Sequence, residues 1–215
     1  MSKEKWERIY QQGEQINIAP YTEIFSFISR NFGEDAQNKR FLEVGCGVGN
    51  NLIFAKWAFD FDVYGIDQSE EAINIARSRF ESKQLDFVYL KPCNILQLEF
   101  DNNFFDIVVD RSAIQHNTIK NVEQIISEIR RVLKVNGLFY SCITSDLHPV
   151  FDSKQKSGNN DYFDDEIGNW HLFSKSDIIK IFDGFKILKW YHKIRYDLPD
   201  NIIKEGCYHM ELKKK

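Results

Sequence analysis

The stretch EVGCGVGN, Glu43 to Asn50, decides how the rest of the chain is interpreted. It overlaps the end of the apolar run FLEV (Phe41 to Val44) and precedes a helical pattern. Gly45, Gly47 and Gly49 let the backbone turn tightly and let a ligand touch the main chain. The helix that follows offers free N–H groups at its N-terminus. We therefore predict a ligand-binding turn between a buried strand and a helix.

Apolar strands and helical patterns alternate after this turn. Strands are predicted at 62–66, 86–90, 104–110 and 138–144, and helices at 50–59, 69–83 and 122–133. Short apolar strands between helices of about ten to fifteen residues are typical of a parallel sheet with helices on both faces. The predicted fold class is α/β, a doubly wound Rossmann-like fold with a mostly parallel seven-stranded sheet and an antiparallel last strand at the edge.

The remaining segments complete a single predicted domain, 1–215. Amphipathic helices are predicted within 1–36, ahead of a cofactor-binding core at 40–144. The segment 145–173 is rich in Asp, Asn, Gly and Ser and has no clear period, so we expect an irregular lid or acceptor insert. A helix capped by Ser174 and two edge strands are predicted for 174–215.

Composition excludes several classes of protein. The net charge is −4 and the only basic run is Lys213 to Lys215, so nucleic acid is a disfavoured partner. The chain has no apolar stretch of membrane-spanning length and its first residues lack the core of a secretory signal. We expect a cytoplasmic protein without a bound metal, as a monomer or homodimer. Its cysteines form no C-x-x-C pair: Cys46, Cys93, Cys142 and Cys207.

Two features distinguish this turn from a plain strand-to-helix turn. The glycines are spaced G-x-G-x-G, which departs from the G-x-G-x-x-G of dinucleotide-binding proteins. Asp67 closes the second strand eighteen residues after Gly49. A carboxylate at that strand end can accept hydrogen bonds from both hydroxyls of a ribose. The pattern therefore favours a nucleoside ligand bound across two strand ends.

These residues resemble the class I S-adenosylmethionine-dependent methyltransferases, over roughly Phe41 to Thr144. The resemblance implies that the chain is an enzyme with S-adenosylmethionine as its cofactor. It places Glu43 near the methionine part of the cofactor and Asp67 on the ribose. Asn94 stands where an Asp more often reads the adenine amino group, and its carbonyl oxygen can accept the same hydrogen bond.

The resemblance extends to DNNFFDIVVDRSAIQH, which is similar to the fourth-strand motif of the family. It implies that Asp110 and Arg111 lie beside the methionine end of the cofactor. The residues predicted to contact the cofactor are Glu43, Gly45, Cys46, Gly47, Gly49, Asp67, Gln68, Cys93, Asn94, Ile95, Asp110 and Arg111.

His116 is the candidate general base, because it follows the fourth strand and a histidine of ordinary pKa can take a proton near neutral pH. The alternative is a polar residue that only lines the cleft. His148, Trp170 and Tyr10 are candidate acceptor contacts. Their alternatives are a turn residue for His148, an aromatic cluster for Trp170 and ordinary helix packing for Tyr10.

The acceptor is predicted to be a small molecule, attacked through oxygen, nitrogen or sulfur. After the fourth strand the chain reads DRSA, without the Asn/Asp-Pro-Pro-aromatic motif of relatives that methylate nucleobases or glutamine. A protein or RNA acceptor is the nearest alternative. A non-catalytic sensor or partner subunit that binds the cofactor is the second. A nicotinamide-dependent oxidoreductase fits the glycine spacing less well, and fold alone does not decide among them.

Overall fold

The computed structural model describes residues 2–33, 36–86, 88–149, 156–157 and 160–215. The helices are α1 Ser2–Gln11, α2 Thr22–Asn31, α3 Asn50–Phe59, α4 Glu70–Ser82, α5 Ile119–Val132 and α6 Lys175–Ile181, with a 3-10 helix at Ile114–His116. The strands are β1 Arg40–Val44, β2 Asp62–Asp67, β3 Val88–Pro92, β4 Phe105–Arg111, β5 Leu133–Thr144, β6 Lys156–Ser157, β7 Asp161–Asp164, β8 Gly168–His171, β9 Phe185–Asp197 and β10 Ile202–Lys214.

Seven strands form the main sheet in the order β3-β2-β1-β4-β5-β10-β9. Strands β1 to β5 pair in parallel, and β10 is antiparallel to both β5 and β9. The predicted fold class is confirmed. The chain runs outward from β1 to β3 and then returns to β4 on the other side of β1, so the strand order reverses between β1 and β4. Open α/β sheets bind ligands at such a switch point, outside the carboxyl ends of the strands.

Apolar side chains fill the space on both faces of this sheet. On one face Ile125 and Ile129 of α5 pack against Phe139 of β5. On the other, Phe27 of α2 and Phe61 before β2 are fully buried. Each large apolar side chain contributes about 1.5–3 kcal/mol when it leaves water, so the two layers hold the strand ends rigidly in place.

The segment 145–173 contains strands where an irregular insert was expected. Strands β6, β7 and β8 form a separate three-stranded antiparallel sheet. Asp164 Oδ1 accepts hydrogen bonds from the backbone N–H groups of Glu166 (2.7 Å) and Ile167 (3.1 Å), which closes the β7–β8 turn. The sequence did not reveal these strands because they are at most four residues long and do not alternate apolar and polar residues. Residues 150–155, 158 and 159 of the predicted lid lie outside the described residues.

Other element boundaries shift by a few residues. Helix α5 begins at Ile119. Strand β5 begins at Leu133, which pairs with Phe105 of β4 and lies ahead of the predicted strand start at 138. Strand β3 runs to Pro92, and Phe87 of its predicted range lies outside the described residues. Ser69 and Ser174 cap their helices as predicted. Across the described residues no helix is both long and apolar enough to cross a membrane.

Candidate functional site

A cavity of about 390 Å³ lies at the carboxyl ends of β1, β2, β3 and β4. This volume is within the range of about 300–1,000 Å³ that small-molecule sites occupy. We call its lower part the floor, formed by the glycine turn and the ends of β1 and β2. We call its upper part the cover, formed by α1 and the small sheet β6–β8. The predicted site residues that line the cavity are Tyr10, Glu43, Gly45, Cys46, Gly47, Asp67, Gln68, Cys93, Asn94, Ile95, Arg111, His116 and Trp170.

The glycine turn has no room for side chains. Gly45 and Gly47 have φ angles of +66° and +51°, a region that favours glycine. A Cβ on Gly47 would lie 2.7 Å from the hydroxyl oxygen of Tyr10, and a Cβ on Gly45 would overlap Ala113. The backbone is therefore exposed to the cavity, and a ligand can approach it closely.

Asp67 joins the glycine turn to the end of β2. Its Oδ2 accepts a hydrogen bond from the Gly47 N–H, and its Oδ1 accepts one from the Ser69 N–H, each at 2.9 Å. Burial raises the pKa of the Asp67 carboxyl, although these N–H donors oppose the shift. Each carboxylate oxygen has a second lone pair, so Asp67 can still accept from the hydroxyls of a ribose.

Glu43 has one satisfied and one unsatisfied oxygen. Its Oε1 accepts a hydrogen bond from Asn51 Nδ2 at 2.6 Å, whereas its Oε2 is buried and has no hydrogen-bond partner among the described residues. Burial raises the pKa of Glu43 to about 8. A buried acceptor of this kind costs free energy until a donor reaches it, so the site favours a ligand with a cationic or N–H group there.

Arg111 lies at the end of β4, and no carboxylate of the described residues forms an ion pair with it. Its guanidinium stacks on the ring of Tyr21 at 4.2 Å and donates to the hydroxyl of Ser112. Its Nε is buried without a hydrogen-bond partner. The half-buried guanidinium of Arg111 and the buried carboxyl group of Glu43 thus line one cavity. The amino-acid tail of S-adenosylmethionine carries a carboxylate and an ammonium, so this pair of residues fits that group.

The predicted adenine end follows β3. The N–H of Cys93 donates to the backbone oxygen of Asp67 at 2.8 Å, which sets the loop beside the ribose-facing carboxylate. Asn94 Oδ1 accepts from the Leu96 N–H at 3.0 Å and faces the cavity with a lone pair to spare. The arrangement can accept the amino group of an adenine.

Asp110 and Gly49 were predicted to contact the cofactor, but they do not line the cavity. Asp110 Oδ1 accepts from the N–H groups of Ala113 (2.9 Å) and Ile114 (3.1 Å), and its Oδ2 accepts from the Ser141 hydroxyl (2.8 Å). Burial raises the pKa of Asp110 to about 7. Its hydrogen bonds hold the 3-10 helix against β5. Gly49 is the N-cap of α3, with φ +74°.

His116 ends that 3-10 helix. Gln115 anchors it, because Gln115 Oε1 accepts from both the N–H (2.8 Å) and the hydroxyl (2.7 Å) of Thr144. The His116 ring lies 4.9 Å from Trp6 and 4.8 Å from Trp170, and its Nδ1 has no hydrogen-bond partner. Burial lowers the pKa of His116 to about 4. The imidazole is neutral at pH 7 and is a weak base, which disfavours the predicted role of general base.

Helix α1 reaches three parts of the site through consecutive side chains. Lys5 Nζ donates to the backbone oxygen of Asp164 in the cover at 2.9 Å. Trp6 contacts His116. Glu7 accepts from the hydroxyl of Ser69 (2.7 Å) and the N–H groups of Glu70 (2.8 Å) and Glu71 (3.1 Å). Sequence reasoning missed Lys5 and Glu7, because their partners lie far along the chain and no local pattern marks them.

The two histidines of the segment 145–173 contact neighbouring side chains. His171 Nδ1 lies 2.7 Å from Asp161 Oδ1, which also accepts from the Ile119 N–H at 2.9 Å and so ties β7 to the start of α5. His148 does not line the cavity, and its ring lies 6.2 Å from that of Trp170. Asp161 and Asp164 therefore stabilise the cover itself.

Known proteins share this sequence pattern. The family model described as a methyltransferase domain matches residues 35–194. Phosphoethanolamine N-methyltransferase 2 of Caenorhabditis elegans is 32% identical over 122 residues, covering 57% of this chain and 27% of that protein. EEF1A lysine methyltransferase 2 of Homo sapiens is 26% identical over 159 residues, covering 64% of this chain and 65% of that protein. The chain spans only part of the length of its curated relatives. The matched region covers 53%, 27% and 37% of three of them.

Solved structures share the fold. The 1,6-didemethyltoxoflavin-N1-methyltransferase of Burkholderia thailandensis, solved with 1,6-didemethyltoxoflavin and S-adenosylhomocysteine, has a TM-score of 0.75 and 13% identity, over 99% of this chain and 87% of that chain. Together with the family match over most of the chain, this confirms the predicted resemblance. The cofactor of this family is S-adenosylmethionine. The chain belongs to the methyltransferase domain family, within the class I S-adenosylmethionine-dependent methyltransferases.

Proposed function

We propose that the chain transfers the methyl group of S-adenosylmethionine to a small-molecule acceptor. The observation that carries this proposal is the cover: Trp6 of α1 and Ile167 and Trp170 of the small sheet all line the cavity. A folded protein or an RNA would need an open cleft beside the cofactor. A cavity partly covered in this way suits an acceptor small enough to enter between floor and cover.

Four residues of the cavity would each bind a different part of the cofactor. Asp67 would hold the ribose, Asn94 the adenine amino group, and Glu43 and Arg111 the two charges of the amino-acid tail. When bound, S-adenosylmethionine supplies an electrophilic methyl group on a positively charged sulfur. All four predicted segments of the chain surround or support this cavity, which supports one domain spanning 1–215.

We propose that the chain accelerates transfer by orientation and by exclusion of water. In-line attack on a methyl group requires that the reacting atoms be held in near-attack geometry, which a partly covered cavity favours. His116 lines the cavity, and its ring would contact the acceptor and so orient it. This role needs no proton transfer and therefore suits a neutral imidazole.

The first test is calorimetric binding of S-adenosylmethionine and S-adenosylhomocysteine, with NAD for comparison. We expect micromolar binding of the first two, lost in Asp67→Ala and retained in Asp60→Ala, whose carboxylate is exposed at the end of α3. Labelled methyl transfer is then measured from S-adenosylmethionine into separated metabolite, protein and RNA fractions of a cell extract. Label in the metabolite fraction supports the proposal. Label only in protein or RNA contradicts it.

A further inference from the structure

Three rings line the cavity together with the predicted cofactor residues. We call Trp6, His116 and Trp170 the aromatic chamber. The His116 ring makes an edge contact with Trp6 at 72° and a tilted contact with Trp170 at 59°. All three side chains line the cavity. Because they come from α1, the 3-10 helix and β8, the chamber exists only when the cover lies over the floor.

Among the described residues, the chamber contains rings but no acidic side chain. The described carboxylates that line the cavity are Glu43 and Asp67, both in the floor. In the cover, Asp161 and Asp164 bind backbone N–H groups and, for Asp161, His171. A positive charge in the chamber would therefore be stabilised by ring faces. Trp is the side chain that binds cations most strongly in this way.

The proton chemistry of the chamber separates the candidate acceptors. A hydroxyl becomes a good nucleophile only when a base takes its proton, and neutral, weakly basic His116 is poorly suited to do so. An amine attacks through the lone pair of its free base and needs no base at that moment. The amine gains a positive charge as it reacts, and the rings favour that charge.

We infer that the acceptor atom is an amine nitrogen and that the aromatic chamber stabilises the positive charge that this nitrogen acquires. The inference rests on the proposed small-molecule function and names its substrate class. In the transfer, the nitrogen lone pair forms the bond to the methyl carbon while the carbon–sulfur bond breaks and its electron pair stays on sulfur. Positive charge passes from sulfur to nitrogen, and a primary or secondary amine then loses one proton to water.

The test compares two probes of matched shape in protein saturated with S-adenosylhomocysteine. Choline carries a quaternary ammonium, and 3,3-dimethylbutan-1-ol is its uncharged isostere. We expect choline to bind about five- to thirtyfold more tightly, as cation–π stabilisation at a desolvated site predicts. Trp6→Leu and Trp170→Leu should each remove most of this preference. Trp57→Leu, at an exposed position of α3, should leave it unchanged.

Each outcome decides the inference. Equal or tighter binding of the uncharged alcohol would overturn it, as would failure of both probes to bind. Trp6→Phe and Trp170→Phe keep a ring and should retain part of the preference, which separates a lost ring face from a misfolded variant. The affinity for S-adenosylhomocysteine is measured in the same titrations. If the wild-type protein does not bind S-adenosylhomocysteine, the result contradicts the proposed function and not this inference alone.

Discussion

The floor and the cover of the cavity are built in different ways. The floor depends on backbone geometry. Gly45 and Gly47 turn the chain, and the Asp67 carboxylate accepts a hydrogen bond from the Gly47 N–H. The cover is held by side chains, such as Lys5 on the Asp164 carbonyl, from positions 159 residues apart. This contrast teaches that the cofactor half depends on local geometry, whereas the acceptor half depends on contacts between distant segments.

The largest effect is expected from the floor, with Gly47→Ala. The new methyl group would meet the Tyr10 hydroxyl at 2.7 Å and occupy the ligand side of the turn. We expect affinity for S-adenosylhomocysteine to fall by about a hundredfold or more, measured by calorimetry, since nearly 3 kcal/mol is lost. Gly13→Ala is the matched control, because Gly13 has φ +75° but nothing within 4 Å. Equal losses in both variants would refute a specific role for the turn.

The second prediction concerns Glu43 and pH. Burial raises the pKa of Glu43 to about 8, so the free protein holds this proton at pH 6. The ammonium of the cofactor favours the ionised carboxylate, so binding releases a proton and affinity should rise from pH 6 to 7.5, by at most about tenfold per pH unit. Glu43→Gln should flatten this dependence.

The control for Glu43 is a ligand, 5′-methylthioadenosine, which lacks the amino-acid tail. Its affinity should vary less with pH, because it brings no ammonium to Glu43, while any contribution from Asp110, whose pKa is raised to about 7, is common to both ligands. A pH dependence that is the same for both ligands would show that Glu43 does not meet the tail.

The third prediction concerns the contact between α1 and the start of α4. In Glu7→Ala, the hydroxyl of Ser69 and two N–H groups at the start of α4 lose their acceptor. A capping carboxylate contributes about 1 kcal/mol, so we expect S-adenosylhomocysteine to dissociate about fivefold faster, measured by stopped-flow tryptophan fluorescence. Glu4→Ala, at an exposed position of the same helix, is the control. An unchanged rate in Glu7→Ala would mean that α1 does not retain the ligand.

The smallest effect is expected at Lys5. Its ammonium lies 4.3 Å from the ring centre of Phe163 and binds the Asp164 carbonyl, both partly in water. Lys5→Met should therefore raise hydrogen exchange in β7 by only about two- to fivefold. Lys3→Met, also on α1 but exposed, should leave exchange in β7 unchanged. A larger increase would show that this one contact holds the small sheet in place.

The sequence predicted the floor well because its determinants are local. Glycines at alternate positions, an acid at the next strand end and Ser69 as an N-cap act within a few residues of themselves, and burial patterns reveal the strands between them. Asp110 shows the limit. Its place at the end of the fourth strand was predicted correctly, yet its oxygens accept from Ala113, Ile114 and Ser141 instead of facing the cavity.

The strands of the cover, unlike its place in the sequence, were not predicted, for a physical reason. Strands of four residues carry too few side chains for a periodic pattern, and their stability comes from partners such as His171 on Asp161 and Lys5 on Asp164. The sequence also did not predict the weak basicity of His116. It arises from burial near Trp6 and Trp170, and neither tryptophan is near His116 in the sequence.

The sequence by itself determined the fold class, the family and the cofactor, because a strand, a glycine turn and an acid act through backbone geometry that nearby residues dictate. Only the tertiary structure decided what closes over the cavity and what chemistry its acceptor end presents. Ring contacts, unpaired buried charges and shifted pKa values depend on which distant segments meet, and that follows from packing of the whole chain.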